Sequence, residues 1–402
     1  MNKMIDPASR MQDYLVFGEN GGVNPSIPDS ATFTFLATET MEGVFAGEIE
    51  GCYLYSRHTT PIGNDLSRVL ALMENTPAAH VMGSGMGAIT STLLQICSAG
   101  DEIISSRTIY GGSYAFLKNF APKLNIHTKF VDITNLEVIE KSVTAKTKVI
   151  YCETISNPLL EIADLAGLRK IADKYNLKLV VDNTFCPLVV TPYNLGAHIV
   201  VYSMTKFING TNDTTAGAVC ADEEFINSLK SVNDGAAMLL GPVLDTIRAA
   251  SILKNIHSLH IRMKQHSINA MYIAKNLQDA GIRVIYPGLE SHPQHDLIKS
   301  MINDDYGFSG IITIDAKEKS VADKFMIAMQ TNKVGYFAVS LGYYKTLFSS
   351  PGSSTSSEIP PEEQIQMGMT NGLVRFSVGL DNDIERSYQA IIKSAKESGL
   401  LT

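Results

Sequence analysis

The sequence predicts an α/β protein built on a large, mostly parallel sheet, with a smaller α+β region toward its C-terminal end. Three observations predict it. Between about residues 65 and 220, short apolar runs alternate with segments of helical period, as they do in a sheet covered by helices on both faces. A glycine loop, Gly83-Ser84-Gly85-Met86-Gly87-Ala88, opens one of the helical segments. Asp182 ends one apolar run, and Lys206 lies just past the next, 24 residues later. In a parallel sheet both side chains emerge at the carboxyl edge, where open α/β sheets bind ligands.

Residues 1–60 are rich in Gly, Pro, Ser and Thr and lack sustained periodicity, which predicts an extended arm. Phe33, Phe35, Tyr53 and Tyr55 need apolar cover, so the arm is expected to reach a neighbouring subunit rather than remain a disordered tail. Residues 61–255 form the predicted cofactor-binding α/β domain. Its helices include "LSRVLALMEN" and "LRKIADKYNL", and its strands "GDEIISS", "IHTKFVD", "TKVIYCET", "KLVVDNT" and "HIVVYS". A long helical stretch follows, and residues 256–402 form the smaller domain, with strands in "RVIYPGL", "GIITID", "YFAVS" and "VRFSVGL". Residues 349–363, "SSPGSSTSSEIPPEE", read as a linker or an active-site loop.

Bulk properties narrow the function. With 402 residues, 45% of them hydrophobic, the chain can bury a sizeable core. A net charge of -8 without a Lys/Arg run argues against nucleic acid or anionic membranes as partners and for small-molecule chemistry. The five cysteines are scattered without a C-x-x-C, so neither a disulfide framework nor a zinc site is expected. The i,i+3 pairs His257/His260 and His292/His295 lack an evident third ligand, and no metal is expected. No apolar run suggests a leader or a membrane span, which predicts a cytoplasmic protein.

The glycine loop satisfies G-x-G-x-x-A, and such a loop at a helix start binds phosphate without identifying the molecule. A nicotinamide dinucleotide needs a ribose-binding acid after the second strand. Asp101 and Glu102 precede that strand. Pyridoxal phosphate instead needs a lysine for the imine, an acid opposite its pyridine nitrogen, and donors for its phosphate. Lys206, Asp182, Ser203, Thr205 and the loop at Gly85 and Met86 supply all three.

These residues resemble the Cys/Met-metabolism, or transsulfuration, family of pyridoxal-phosphate enzymes. The resemblance runs from about residue 30 to the end through "YLYSRHTTP", "GSGMGAI", "GDEIISSRTIYGGSYAF", "ETISNPLLEIADL", "VVDNTF", "YSMTKFINGTND", "LHIRMKQHSINA", "YPGLESHPQH", "VSLGYYKTL" and "VRFSVGLDN". It implies a fold-type-I transferase fold, pyridoxal 5′-phosphate, and a homo-oligomer, a tetramer made as a dimer of dimers, with active sites built across subunits. By the same resemblance, Lys206 holds the cofactor and moves protons, Asp182 pairs with the pyridine nitrogen, and Tyr110 stacks on the ring and acts as acid/base near the leaving group. The phosphate falls to Gly85, Met86, Ser203 and Thr205, with Tyr55 and Arg57 from the neighbouring subunit. Asn157 approaches the phenolic oxygen, while Arg375, Ser340 and Thr355 serve the substrate. The implied activity is γ-elimination on methionine or cystathionine, giving 2-oxobutyrate, ammonia and a thiol. Its alternatives are γ-replacement on an activated homoserine and a catalytically silent binding role.

Gly112 stands where methionine γ-lyases commonly carry Cys and many sulfhydrylases and cystathionine enzymes carry Gly, which counts against a strict methionine assignment; the chain departs from the family pattern at Lys345 where an acid is common, at Ser356, at "GTND" over 210–213, and around "TTPIG". These positions are expected to border the substrate entrance, with Tyr343 and Tyr344 narrowing it.

Overall fold

A computed structural model describes residues 5–45, 48–49, 51–303, 305–354 and 358–401. Seven strands form the large sheet: β1 (Ala78–Met82), β2 (Glu102–Ser106), β3 (His127–Val131), β4 (Thr147–Glu153), β5 (Lys178–Asp182), β6 (Ile199–Ser203) and β7 (Gly217–Ala221), in the order β1-β7-β6-β5-β4-β2-β3. The run from β6 to β3 is parallel, and β7 lies antiparallel to both β6 and β1. The predicted parallel sheet is therefore present, with one reversed strand inside it. Neither β1 nor β7 was among the predicted strands. In β7, "GAVCA", four of five residues are small or unbranched, so β-propensity is weak; complete burial between two neighbours overrides it.

The helices begin and end on recognisable signals. Thr60 caps Pro61–Glu74, its Oγ1 accepting from Gly63 N at 3.1 Å, with Pro61 at the first helical position. Asn75 stops that helix in the left-handed region at φ 63°. Asp164 and Asn176 play the same parts for Leu165–Tyr175. The parallel strands connect through helices, as the right-handed crossover requires.

The smaller sheet comprises β8 (Val284–Ile285), β9 (Ile311–Asp315), β10 (Gly335–Phe337), β11 (Thr346–Ser349) and β12 (Leu373–Ser377), in the order β10-β11-β12-β9-β8. Its β11 is a further strand missing from the sequence reading. Around residue 255 the core is continuous: Ile252 and Ile256 share one buried cluster with Leu259, Met263, Ile311 and Leu341.

The arm is not extended throughout. Asp6 caps a helix over Pro7–Gln12, and a second helix spans Thr38–Phe45. Arg10 ties the first helix to the body, donating to Leu72 O at 2.8 Å and Met73 O at 2.9 Å. Phe33 meets Tyr53 with ring centroids 5.5 Å apart, and both are half-buried with Phe35, whereas Tyr55 is exposed.

Candidate active site

Strands β4, β5 and β6 end side by side in Glu153, Asp182 and Ser203. Beyond β6 the chain turns through Thr205 to Lys206. Because β1 is antiparallel to β7, and β7 to β6, β1 also points to this edge and delivers the glycine loop there. A cavity of about 580 Å³ opens at the edge, walled by these strand ends, the glycine loop, Tyr110, and the 339–341 segment and Arg375 of the C-terminal region.

The loop is shaped by close approach. A Cβ on Gly85 would lie 2.6 Å from Ser203 Cβ, so only glycine lets the loop settle on β6. Ser84 caps the helix Gly85–Ile96, its Oγ accepting from Gly87 N at 2.9 Å. The first-turn N–H groups of Gly85 and Met86 have no acceptor among the described residues and border the cavity. Unpaired donors at a helix start suit an anion. Ser203 lines the same cavity, and Thr205 Oγ1 accepts from Ala216 N at 3.0 Å.

Lys206 Nζ donates to Ser340 Oγ at 3.1 Å. Burial, and then the nearby Arg375 charge, lower its pKa to about 8, so the neutral amine is accessible near neutral pH. Ser340 stands at φ 147°, a strained backbone for a residue with a Cβ, of the sort that gathers at functional sites. Arg375 is 2% exposed. It donates from Nη1 to Asn157 Oδ1 at 3.1 Å and from Nη2 to Ser340 O at 3.2 Å, while its Nε is buried without a partner. An unpaired buried guanidinium N–H is costly. A carboxylate in the cavity would relieve that cost.

Glu153 escaped the sequence reading. Its Oε1 accepts from Tyr110 N at 2.8 Å and its Oε2 from Asn157 N at 2.9 Å, joining the loops that carry both residues. Burial raises its pKa, and repulsion from Asp182, its register partner across β4 and β5, raises it further. Burial raises Asp182 as well, against the hydrogen bond that its Oδ1 accepts from Thr184 N at 2.9 Å. Two buried carboxylates side by side ionise together only at a cost, so the pair favours holding a proton or facing a positively charged group. The signal for Glu153 was available: it ends a parallel strand next to the one that ends in Asp182. Tyr110 has its phenol pKa raised by burial, then by Glu358, and so keeps its proton at neutral pH.

Of the predicted residues, Gly85, Met86, Tyr110, Asn157, Asp182, Ser203, Thr205, Lys206, Ser340 and Arg375 all line this one cavity. Tyr55 and Arg57 do not. They lie exposed elsewhere, with the Arg57 guanidinium 5.6 Å from the Tyr55 ring centroid and its Nη1 donating to Met238 O at 3.0 Å. Thr355 and Ser356 lie outside the described residues. Tyr343, Tyr344 and Lys345 are absent from the lining, correcting the expectation that the two tyrosines narrow the entrance. Gly342, at φ 77°, packs against the Phe207 backbone, and Tyr344 is exposed. The lining also includes Ser84, Thr184, Asn212 and Glu358.

The donor set fits pyridoxal phosphate: a glycine cradle that a Cβ would fill, free N–H groups for the phosphate, a half-buried amine of lowered pKa, and a buried acid. Comparison with known proteins agrees. The family of Cys/Met metabolism PLP-dependent enzymes matches residues 13–386. The chain is 43% identical over 396 residues to a methionine gamma-lyase of Arabidopsis thaliana, covering 97% of this chain and 90% of that protein. It is 37% identical over 381 residues to an L-methionine gamma-lyase of Pseudomonas putida, covering 93% and 94%, and 35% identical over 341 residues to a cystathionine gamma-lyase of Bacillus subtilis, covering 84% and 87%. Among solved structures, cystathionine gamma-lyase from Lactobacillus plantarum complexed with L-serine superposes with a TM-score of 0.89 at 25% identity, covering 98% of this chain and 100% of that one. A putative O-acetylhomoserine (thiol)-lyase from Campylobacter jejuni, carrying N'-pyridoxyl-lysine-5'-monophosphate, gives 0.91 at 25% identity with the same coverage.

Proposed function

We propose, from the premise that this chain belongs to the Cys/Met metabolism PLP-dependent enzymes, that it cleaves the γ-carbon–sulfur bond of L-methionine. It is a carbon–sulfur lyase of the γ-elimination type. One observation carries the reading of its site: Lys206, Tyr110 and Arg375, the last with an unpaired buried Nε, converge on a single cavity. Methionine is preferred to cystathionine because methionine gamma-lyases from Arabidopsis thaliana and Pseudomonas putida are the more similar of the relatives compared.

Pyridoxal 5′-phosphate supplies the electron sink that acidifies the substrate's Cα proton. In the proposed assignment the N–H groups of Gly85 and Met86 and the hydroxyls of Ser203 and Thr205 hold its phosphate, Asp182 faces its pyridine nitrogen, Asn157 its phenolic oxygen, and Tyr110 its ring. Arg375 grips the substrate carboxylate through its planar fork. Lys206 Nζ, once free, takes the Cα proton, hands it on to the bound adduct, and as the neutral amine again takes a Cβ proton. The Tyr110 phenol, protonated at neutral pH, donates to the departing sulfur. Water completes the balance, and methionine leaves as 2-oxobutyrate, ammonia and methanethiol.

The arm, residues 1–60, is assigned to a neighbouring subunit, where Tyr55 and Arg57 complete the partner's phosphate site. The large and small domains take residues 61–255 and 256–402, and the assembly is a cytoplasmic homotetramer. All five cysteines are free, which suits a reducing compartment. Among the described residues, no helix is long and apolar enough to cross a membrane.

The test is a product assay. Holoenzyme is incubated with methionine, cystathionine or O-acetylhomoserine, with and without sulfide, and 2-oxobutyrate is measured against homocysteine. The proposal expects 2-oxobutyrate from methionine without sulfide. Homocysteine alone, formed only from O-acetylhomoserine and sulfide, would replace elimination by γ-replacement, and no turnover of any substrate would leave the silent binding role.

A further inference from the structure

Asn212 has no part in the scheme above, yet it lines the cavity and ends a hydrogen-bond chain that starts at Lys206. Lys206 Nζ donates to Ser340 Oγ at 3.1 Å, and the Ser340 hydroxyl donates to Asn212 Oδ1 at 2.6 Å. A hydroxyl has one proton and two lone pairs. With the proton committed to Asn212, Ser340 can only accept from the lysine. A neutral amine that donates an N–H keeps its lone pair open, whereas a Ser340 hydroxyl turned toward Lys206 would occupy that lone pair.

We propose that Asn212 is a positioning residue which, by accepting the Ser340 proton, keeps the Lys206 lone pair free to take the substrate's Cα proton. The inference rests on the γ-elimination reading and deepens it. Asn212 and Ser340 are both held in place. Asn212 stands at φ 59°, a left-handed backbone that asparagine tolerates. Its loop is pinned by Asp213, whose Oδ1 accepts from Asn209 Nδ2 at 2.9 Å and Thr211 Oγ1 at 2.7 Å. Ser340 is fixed by Gly342, where a Cβ would fall 2.5 Å from Phe207 N, so that this segment lies directly on the lysine's own turn.

Two substitutions separate the acceptor from the backbone. Asn212→Gly keeps the left-handed conformation and removes the side chain. Asn212→Asp keeps an acceptor oxygen in nearly the same shape and has no N–H to donate. The other charged or titratable groups around Lys206 stay in place in both: Arg375, Asp182, Glu153, Tyr110 and Glu358 on the cavity wall, and Asp213 beside the substituted residue.

Each holoenzyme, checked for the absorbance of its bound cofactor, is assayed on L-methionine for exchange of the Cα proton with solvent and for 2-oxobutyrate. Asn212→Gly should slow exchange and kcat together by roughly 3- to 10-fold, the worth of one neutral hydrogen bond, with KM little changed. Asn212→Asp should retain exchange at its optimum while the rising limb of its pH profile moves to higher pH, because the added negative charge favours the ammonium form of Lys206. In a Ser340→Ala background, Asn212→Gly should cost nothing further. Wild-type exchange in Asn212→Gly, an Asn212→Asp variant as slow as Asn212→Gly, or additive losses in the double variant would each overturn the proposal. Exchange by the wild type without 2-oxobutyrate would sink the elimination reading while leaving the role of Asn212 testable by exchange alone.

Discussion

At the carboxyl edge of the large sheet, polar side chains are buried and mostly partnered within the chain, as Glu153, Asp182 and Arg375 illustrate. Along residues 15–45 the pattern is inverted. Phe17, Val23 and Leu36 are 87%, 90% and 108% exposed, although each would favour burial. Scattered exposed apolar residues are ordinary, but a segment that offers them repeatedly is suited to being covered. The comparison teaches where one chain suffices. The edge assembles an amine, two acids, a buried guanidinium and a glycine loop alone, while Tyr55 and Arg57 lie away from the cavity of their own chain.

The sharpest test of the edge is Tyr110→Phe, which keeps the ring and removes the phenol. Elimination of a thiolate should slow by roughly 10²–10⁴-fold, the range for one positioned proton donor, with cofactor retention little changed. Exchange of the Cα proton depends on Lys206 and should persist. Equal loss of exchange and elimination with cofactor still bound would make Tyr110 a substrate-positioning group instead of the leaving-group acid.

The next test can break the comparison. Arg57→Ala should loosen cofactor binding by roughly 10- to 100-fold, as loss of a charge-assisted contact to phosphate would. Complementation makes the claim specific. If Arg57 serves the partner's site, refolding Arg57→Ala chains together with Lys206→Ala chains creates hybrids in which one site has both native residues. An equal mixture should then recover activity in roughly a quarter of its sites. Absence of recovery, with hybrids demonstrated, would mean that the edge completes its site without the arm.

The same contrast explains what the sequence disclosed. Asp182 and Lys206 were legible because apolar runs mark strands, and parallel strands bring their ends to one edge. Glu153 closes the predicted strand "TKVIYCET", but its place beside Asp182 follows from the register of β4 on β5, which a strand pattern alone does not specify. The reversed β7 was illegible for a different reason: small residues mark no period, and its direction is fixed by pairing with β6 and β1. Tyr343 and Tyr344 follow a recognisable motif yet stand outside the cavity lining, a placement that depends on how the segment around Gly342 packs on the Phe207 backbone. Local pattern specified the elements, while side-chain direction after a turn depended on packing from distant residues.

The smallest expected effect divides the arm itself. Arg10 anchors the first helix to the end of the helix Pro61–Glu74, beside the buried Glu74, whose carboxylate accepts from Tyr193 N at 2.9 Å and from the Tyr202 hydroxyl. Burial raises the Glu74 pKa from 4.5 to about 8 despite these donors and the Arg10 charge. A carboxyl whose folded value lies above its unfolded one makes the native state the better proton binder, so its stabilising effect is complete below about 4.5 and is lost as pH rises through about 8. Glu74→Gln cannot lose a proton and should flatten that fall. The exchange costs about 1 kcal/mol at low pH, where the amide cannot reproduce every hydrogen bond. The variant should therefore melt a few degrees below wild type at pH 5, using the approximate scale for domains, and converge on or exceed it at pH 9. Because every partner is in the same chain, the difference should not depend on protein concentration. A concentration-dependent shift would instead tie the base of the arm to subunit assembly, and would add the helix Pro7–Gln12 to the structure that needs a partner.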